Sequence, residues 1–270
     1  MDLRLKLLIV SRFKHVDILG YSILDEPASR VAAAVCDDLA GSCRESFVFL
    51  NPHSVVIAEH EPAFRSAIVN AGGVFCDGVG LSIASMLLNR RRVMRVYGFE
   101  FFSALSRELS GRRLGRVFFV GGSEELLDQL TRRYRLDFPG IAHVAGFAPP
   151  FKMEFGSADI EEMGRQIAAH HPDVLWVGLG SPKQEKVLFE LMRSCDVRCA
   201  AAVGAVFDFY TERVPHAPAW IRRIGLQWVH RLMLEPRRLW RRTVVSTPLF
   251  LWLVVRQMLS SAGRSRRGNR

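Results

Sequence analysis

The sequence has no hydrophobic run long enough to span a membrane and no run that resembles a secretory signal. The apolar segment at 248–255 has eight residues, whereas a membrane-spanning helix needs about 18 or more. The first 20 residues contain a four-residue apolar run between basic residues, which is too short for the apolar part of a signal peptide. These absences predict a cytoplasmic protein without a transmembrane helix.

Cysteine is scarce, with five residues in a chain of 270. Cys195 and Cys199 are close in sequence, but no second pair of Cys or His follows at the spacing of a zinc site. A long chain without a signal peptide is also a poor candidate for disulfides. The sequence therefore predicts reduced thiols and no metal.

Acidic residues are almost absent from the end of the chain. Residues 213–270 contain 13 arginines, no lysine and one acid, Glu235, which gives this segment a net charge of +12. The preceding 212 residues carry 24 basic and 26 acidic residues, or −2. Aromatic and aliphatic residues lie between the arginines, a composition that suits the surface of an anionic membrane.

Short apolar runs alternate with segments of helical period from about residue 27 to residue 210. Runs such as SFVFLN, RVFFVGG and DVLWVGLG are apolar at nearly every position, as in strands buried on both faces. The pattern predicts an α/β fold, with a Rossmann-like, mostly parallel sheet covered by helices on both faces. We expect a catalytic core at 1–212 and a basic helical appendage at 213–270, with a disordered end and docked on a membrane.

Two glycine-containing turns follow predicted strands and could hold a phosphate group. In FFVGGSEE, Gly121 and Gly122 let the backbone approach a ligand before a helix begins. In GLGSPKQEK, Gly180, Lys183 and Gln184 lie at the same edge of the sheet. The alternative for the first turn is a tight connection with a capping serine. Two such turns favour a ligand that carries phosphate.

A carboxylate follows a third predicted strand. Asp77, in VFCDGVGLS, would project into the crevice beyond the sheet, or would cap the next helix. Asn51, in FLNPHS, is a ligand contact or a turn former. Arg95 could reach a phosphate from within the fold, whereas the arginines at 90–92 are a solvated face or a lipid contact.

These residue types suit displacement of a nucleotide from an activated sugar. The carboxylate would remove a proton from the acceptor hydroxyl, and cations would stabilise the departing diphosphate. The sequence has no Asp-x-Asp pair of the kind that holds a divalent metal on a nucleotide diphosphate. We therefore expect a direct, inverting displacement that needs no metal and no cofactor.

The motifs resemble those of the WecG/TagA/CpsF glycosyltransferases of bacterial surface-polymer synthesis. The resemblance runs from about residue 16 to residue 242 and rests on six ordered motifs: CDGVG, RVYGFEFF, FFVGG, VGLGSPKQE, VGAVFDFYTERVPHAPAW and GLQWVHRLMLEPRRLWRR. It implies transfer of a sugar from a nucleotide diphosphate donor to a polyprenyl-diphosphate-linked sugar, at the cytoplasmic face of the membrane, for an exopolysaccharide or another cell-surface polymer. The resemblance also implies inversion and no metal.

The resemblance also implies roles for single residues. Asp77 matches the proposed general base of the family, Asn51 its acceptor-pocket asparagine and Arg95 its active-site arginine. Gln184 falls in the Pro-Lys-Gln-Glu motif near the donor, and Glu100 stands where the family commonly has Asp. Arginines of the appendage are expected to reach the diphosphate from above the pocket, and the matching residues here are Arg231, Arg237 and Arg238.

Two other classes of protein fit parts of the sequence. A nucleotide-dependent oxidoreductase would need a G-x-G-x-x-G turn, and DGVGLS lacks its last glycine. A nucleic-acid-binding protein would explain the arginines, but the apolar segment LFLWLVV beside them favours lipid. Partners are therefore expected to be the donor, the lipid-linked acceptor and the membrane surface, without nucleic acid. The donor sugar, the acceptor sugar and the oligomeric state, a homo-oligomer included, are left open.

Overall fold

The computed structural model of the chain describes residues 12–41, 44–215, 233 and 245–267, with side chains up to residue 260 in the last range. Eight strands are present in this part of the chain. They are His15–Ile18 (β1), Tyr21–Leu24 (β2), Glu45–Leu50 (β3), Gly73–Cys76 (β4), Arg116–Gly121 (β5), His143–Phe147 (β6), Val174–Gly178 (β7) and Cys199–Ala202 (β8).

All eight strands form one sheet, in the order β1-β2-β4-β3-β8-β7-β5-β6. Every neighbouring pair is parallel except β1 and β2, which form an antiparallel hairpin at one edge. Strands β3 and β8, which are far apart in sequence, lie side by side in the middle of the sheet. The prediction of an α/β fold with a mostly parallel sheet is confirmed.

Helices cover both faces of the sheet, as continuous apolar strands require. In β3, Phe47 and Phe49 enter the core on one face, and Val48 and Leu50 enter the core on the other. The first face is covered by Ala28–Asp37 (α1), Gly98–Arg112 (α5), Glu124–Asp137 (α6) and Val206–Tyr210 (α9). The second face is covered by Pro52–His60 (α2), Pro62–Val69 (α3), Val79–Asn89 (α4), Ser157–His170 (α7), Lys183–Ser194 (α8) and Ser246–Arg267 (α10).

The last helix belongs to the second core, although it lies in the basic tail. Phe250, Leu253 and Val254 of α10 are buried there, at 7% exposure or less. The helix packs against α2 and α4. Part of the tail is thus built into the fold, while the division at 212/213 and the disorder of the chain end stay predictions. Among the described residues, none of the helices combines the length and apolar character needed to cross a bilayer.

The described cysteines are buried thiols. Cys36, Cys76, Cys195 and Cys199 all lie inside the protein without forming a disulfide. Burial is the main cause that raises the pKa of the Cys36 thiol to about 12. These residues therefore act as small apolar side chains of the core.

Candidate active site

The seven parallel strands end at one edge of the sheet, and the predicted site residues follow those ends. Asp77 comes directly after β4, Asn51 directly after β3, and Gly180 two residues after β7. The order of the strands places the ends of β4 and β3 next to each other, with β8 between β3 and β7. In parallel sheets this edge is the one where ligands bind.

Asp77 is held at the end of β4 by its backbone. Its N–H donates to the carbonyl of Leu50 at 2.8 Å, which continues the pairing of β4 with β3 by one residue. Gly78 then occupies the N-cap position of α4, with φ 102° and ψ 160° and no capping side chain. Asp77 therefore stands one residue before the position of a capping residue, and this half-buried residue lies at the ligand edge.

Arg95 is placed beside the same strand end by a short extension of the sheet. It forms an isolated parallel bridge with Cys76, and the N–H of Val96 donates to the carbonyl of Cys76 at 2.9 Å. Burial raises the pKa of the Cys76 thiol to about 12, with a further increase from Asp77 and a decrease from Arg95. The structure thus brings the predicted base and the predicted arginine to one strand end.

Asp25 fixes the segment that carries Arg95. It follows β2, the parallel neighbour of β4. One of its carboxylate oxygens accepts a hydrogen bond from the N–H of Met94 at 2.8 Å, and the other forms an ion pair with Arg91. Sequence reasoning did not select Asp25, since its partners are about 70 residues away. The sequence feature that could have indicated Asp25 is its position directly after an apolar strand.

Glu100 is a second carboxylate near Arg95. It lies half-buried in the first turn of α5. Burial is the largest influence on its carboxyl and raises the pKa, whereas a hydrogen bond with the backbone of Tyr97 and the charge of Arg95 lower it. Glu100 is therefore a further polar group on the Arg95 side of the site, which the sequence marked only as a difference from the family.

Asn51 is the N-cap of α2. Its Oδ1 accepts a hydrogen bond from the N–H of Ser54 at 3.1 Å. The predicted turn-forming role is therefore present. Contact with a ligand stays a prediction, and the group suited to it is the Nδ2 amide, because Oδ1 is already used by the helix.

Atoms of the protein itself occupy the space beside the glycines of the turn after β5. A Cβ on Gly121, which has φ 122°, would lie 2.4 Å from the carbonyl oxygen of Gly178 in the neighbouring strand. A Cβ on Gly122 would lie 2.8 Å from Leu126. Ser123 caps α6 by accepting the N–H of Leu126 at 3.2 Å. Packing and capping account for this turn, and a contact of Gly121 or Gly122 with the donor stays a prediction.

The turn after β7 is more open. Gly180 has φ 81°, and a Cβ there would meet no atom within 4 Å. Gln184, only 5% exposed, accepts the N–H of Gly180 at 3.2 Å and donates to the carbonyl of Ala202 at 3.4 Å. Its side chain therefore joins this turn to the end of β8. Gln184 holds the turn in place, and direct contact with the donor stays a prediction.

Lys183 is directed towards the loop that follows β6. Its Nζ donates to the carbonyl of Lys152 at 2.7 Å and lies 4.8 Å from the ring centre of Phe151 and 5.8 Å from that of Phe155. The ammonium group is thus fixed near the strand ends of β6 and β7. Whether it meets a phosphate there stays a prediction.

The three tail residues Arg231, Arg237 and Arg238 lie outside the described residues. In the described ranges, no three His, Cys, Asp or Glu side chains form a cluster that could hold a metal ion. The described site therefore consists of Asp77, Arg95 and Asn51 at one end and the turn at Gly180 at the other. A carboxylate beside a guanidinium can accept a proton from a hydroxyl while an anionic group is bound nearby.

Known proteins are similar to this chain in sequence across most of their length. Residues 16–264 match the glycosyl transferase WecG/TagA/CpsF family. An N-acetylglucosaminyldiphosphoundecaprenol N-acetyl-β-D-mannosaminyltransferase of Bacillus spizizenii is 29% identical over 215 residues, which cover 80% of each chain. A protein of the same name from Bacillus subtilis is 26% identical over 208 residues, covering 77% of this chain and 78% of that one. Because the family match spans nearly the whole chain, this protein belongs to the glycosyl transferase WecG/TagA/CpsF family.

Proposed function

We propose that this enzyme transfers a sugar from a nucleotide diphosphate donor to a sugar linked to a polyprenyl diphosphate, in the synthesis of a cell-surface polymer. The observation that carries the proposal is the placement of Asp77 and Arg95 at the same end of β4, in a chain of this family. The relatives are named for N-acetylmannosaminyl transfer to N-acetylglucosaminyl-diphosphoundecaprenol. N-acetylmannosamine is therefore the first donor sugar to test.

In the proposed reaction, the acceptor hydroxyl attacks the anomeric carbon of the donor sugar. Asp77 takes the hydroxyl proton as a new carbon–oxygen bond forms, and the bond to the diphosphate breaks. The nucleoside diphosphate leaves with the bonding electrons, and Arg95 stabilises its charge. The donor is proposed to extend towards Gly121, Gly122, Gly180 and Lys183, with Asn51 on the acceptor.

We further propose that the displacement inverts the anomeric configuration and needs no metal. Asp77 is the one carboxylate proposed to act in the reaction, and a base without a second catalytic carboxylate favours one displacement over two. The relatives are named for a β-linked sugar, which a single displacement would make from an α-linked nucleotide sugar. The absence of an Asp-x-Asp pair in the sequence supports stabilisation of the diphosphate by cations of the protein. Tail residues Arg231, Arg237 and Arg238 are proposed to contribute to this stabilisation.

The enzyme is proposed to work as a peripheral protein on the inner face of the cell membrane. Its acceptor would be anchored there by the polyprenyl chain. The tail at 213–270 has a net charge of +12, which would attract anionic lipids. This charge supports docking through the tail.

The proposal can be tested by measuring nucleotide release from a panel of UDP-sugars and GDP-sugars. The assay would contain a polyprenyl-diphosphate-linked N-acetylglucosamine in detergent, with EDTA present. We expect release that depends on the acceptor, from one donor, and an unchanged rate when EDTA is replaced by magnesium. If a folded protein released nucleotide from no donor, the proposed function would be wrong. Release that required magnesium would contradict only the metal-independent mechanism.

A further inference from the structure

Helices α4 and α10 carry large apolar side chains on their outer sides. On α4, Ile83, Met86 and Leu87 are 51%, 45% and 49% exposed. Their spacing of three and four residues places them on one face of the helix. The inner side of α4 is packed separately, with Leu81 and Ala84 buried in the core. The outer residues therefore do not belong to the core.

Helix α10 likewise has one buried apolar side and one exposed apolar side. Phe250, Leu253 and Val254 are buried against the core. Its outer side exposes a second set of apolar residues, each at least 50% exposed: Leu251, Trp252, Val255 and Leu259. An apolar patch on the outside of a protein marks a surface that contacts another apolar body.

The two helices lie next to each other and are anchored to the same hairpin. α10 packs against α4. Nδ2 of Asn89, the last residue of α4, donates to the carbonyl of Asp17 at 2.8 Å. The N–H of Leu19, in the turn of the same β1–β2 hairpin, donates to Oε1 of Gln257 in α10 at 3.1 Å. The exposed residues of α4 and α10 can therefore form one continuous surface, which we call the α4–α10 face.

The charged side chains that α4, the residues directly after it and α10 contribute to the α4–α10 face are arginines, and one of them, Arg256, forms an ion pair with Glu59 of α2 at 3.8 Å. Neither α4 nor the segment 246–260 contains an acidic residue. Arg90 and Arg92 follow α4 directly and are exposed. Arg256 of α10 has a side chain that is 60% exposed and lies 5.0 Å from the ring centre of Trp252. Arginine and tryptophan beside aliphatic residues suit the interface of a bilayer with anionic lipids.

The charge pattern also distinguishes the membrane from a second copy of the chain. In a symmetric dimer the same patch meets itself. Such a dimer would bring Arg90 and Arg92 of two chains together without acidic partners on these helices. An anionic lipid surface provides the opposite charge for the exposed Arg90 and Arg92.

The α4–α10 face begins at the candidate active site. α4 starts two residues after Asp77. At the start of α10, Ser246 Oγ lies 2.7 Å from Nδ1 of His53, in the first turn of α2 after Asn51. Both helices thus extend away from the edge of the sheet where the acceptor would react.

We infer that the α4–α10 face binds an anionic bilayer and that helix α4 of the catalytic core, as well as the tail, contacts the lipid. This contact would hold Asp77 beside the membrane surface. The inference deepens the proposed function by naming the part of the core that meets the membrane. It can be tested without enzymatic activity.

The test is co-sedimentation of the full-length protein with vesicles of phosphatidylglycerol and phosphatidylcholine. The variant Met86→Gln/Leu87→Gln removes apolar surface from the face and keeps its charge. The matched control is Leu136→Gln, since Leu136 is 81% exposed on α6, which covers the opposite face of the sheet. We expect the α4 variant to bind on the order of tenfold more weakly, because binding scales with buried apolar area. The control should bind like the unchanged protein.

A second variant tests the charges. Arg90→Gln/Arg92→Gln should weaken binding to the anionic vesicles by about fivefold for each arginine, which corresponds to ~1 kcal/mol per cation. Binding to vesicles of phosphatidylcholine alone should not change. An equal loss of binding to both vesicle types would contradict the role of anionic lipid.

Vesicle binding that is unchanged in a folded Met86→Gln/Leu87→Gln variant would overturn the inference. A change from dimer to monomer without a change in vesicle binding would also overturn it, because the face would then mediate self-association. If the double variant misfolds, Ile83→Gln carries the test. The remaining outcome is that the nucleotide-release assay fails while vesicle binding still depends on α4. That result would contradict the proposed function and would still support binding of the α4–α10 face to the membrane.

Discussion

The turn between β4 and α4 and the turn between β5 and α6 resemble each other in sequence and differ in structure. Each follows a buried strand, and each has two glycines in or next to it: Gly78 and, in the first turn of α4 against Pro52, Gly80; Gly121 at the end of β5, and Gly122. In the β5–α6 turn, added Cβ atoms would strike Gly178 or Leu126, and Ser123 caps the helix. In the β4–α4 turn, a Cβ on Gly78 would meet no atom within 4 Å, and the N-cap has no side chain.

The difference shows that a glycine after a strand can have two physical causes. Gly121 is needed because another strand lies against it, in addition to its φ of 122°. Gly78 is needed because its φ of 102° and ψ of 160° are accessible almost only to glycine. Open space beside Gly78, next to a carboxylate, leaves room for a ligand, whereas the side of Gly121 that faces β7 is already occupied.

The largest effect should come from the carboxylate of the open turn. We expect Asp77→Asn to lower the rate by roughly 10²-fold or more, because an amide cannot accept the proton from the acceptor hydroxyl. Donor affinity should be nearly unchanged, since the substitution preserves shape. Single-turnover rates and donor titrations would measure the two quantities separately.

Asp128→Asn is the matched control for this substitution. Asp128 lies on α6, and its side chain is 71% exposed. The control should turn over like the unchanged enzyme. Normal turnover by Asp77→Asn would mean that the carboxylate is not the base. The two turns would then differ in packing, without the proposed difference in function.

The next largest effect should come from the filled turn. Gly121→Ala would place a Cβ 2.4 Å from a backbone oxygen of β7, at a positive φ. Strained backbone costs about 1–3 kcal/mol and overpacking about 1–3 kcal/mol, so we expect the free energy of unfolding to fall by roughly 3 kcal/mol. Denaturant titration would measure the change.

Gly111→Ala provides the control for adding a methyl group. Gly111 lies in α5, and a Cβ there would meet no atom within 4 Å. Alanine should stabilise the helix by about 0.5–1 kcal/mol relative to glycine. If Gly121→Ala were as stable as this control, the packing explanation of the β5–α6 turn would be wrong.

Sequence reasoning could predict the sheet and the position of Asp77 because both depend on local patterns. Runs such as Phe47–Leu50 are apolar at consecutive positions, which is typical of a parallel strand. A carboxylate that directly follows such a run must lie near the carboxyl edge. The alternation of these runs with helical segments then fixes the fold class.

The features that could not be predicted from the sequence depend on contacts between distant segments. The burial of Phe250 in the tail requires the surface formed by α2 and α4, which no local pattern describes. Gln184 was selected as a donor contact, yet its side chain is buried and bonded to Gly180 and Ala202. The same polar residue suits either role, and only its neighbours in space distinguish them.

The smallest effect should come from the cap of the filled turn. Ser123→Ala removes the hydroxyl that accepts the N–H of Leu126, so the free energy of unfolding should fall by about 1 kcal/mol. Ser123→Asp should retain stability, because aspartate is an equally good N-cap. The KM for the donor should not change with Ser123→Ala if the hydroxyl serves only the helix. A higher KM at unchanged stability would instead indicate that Ser123 contacts the donor, and the two turns would then be functionally alike despite their different packing.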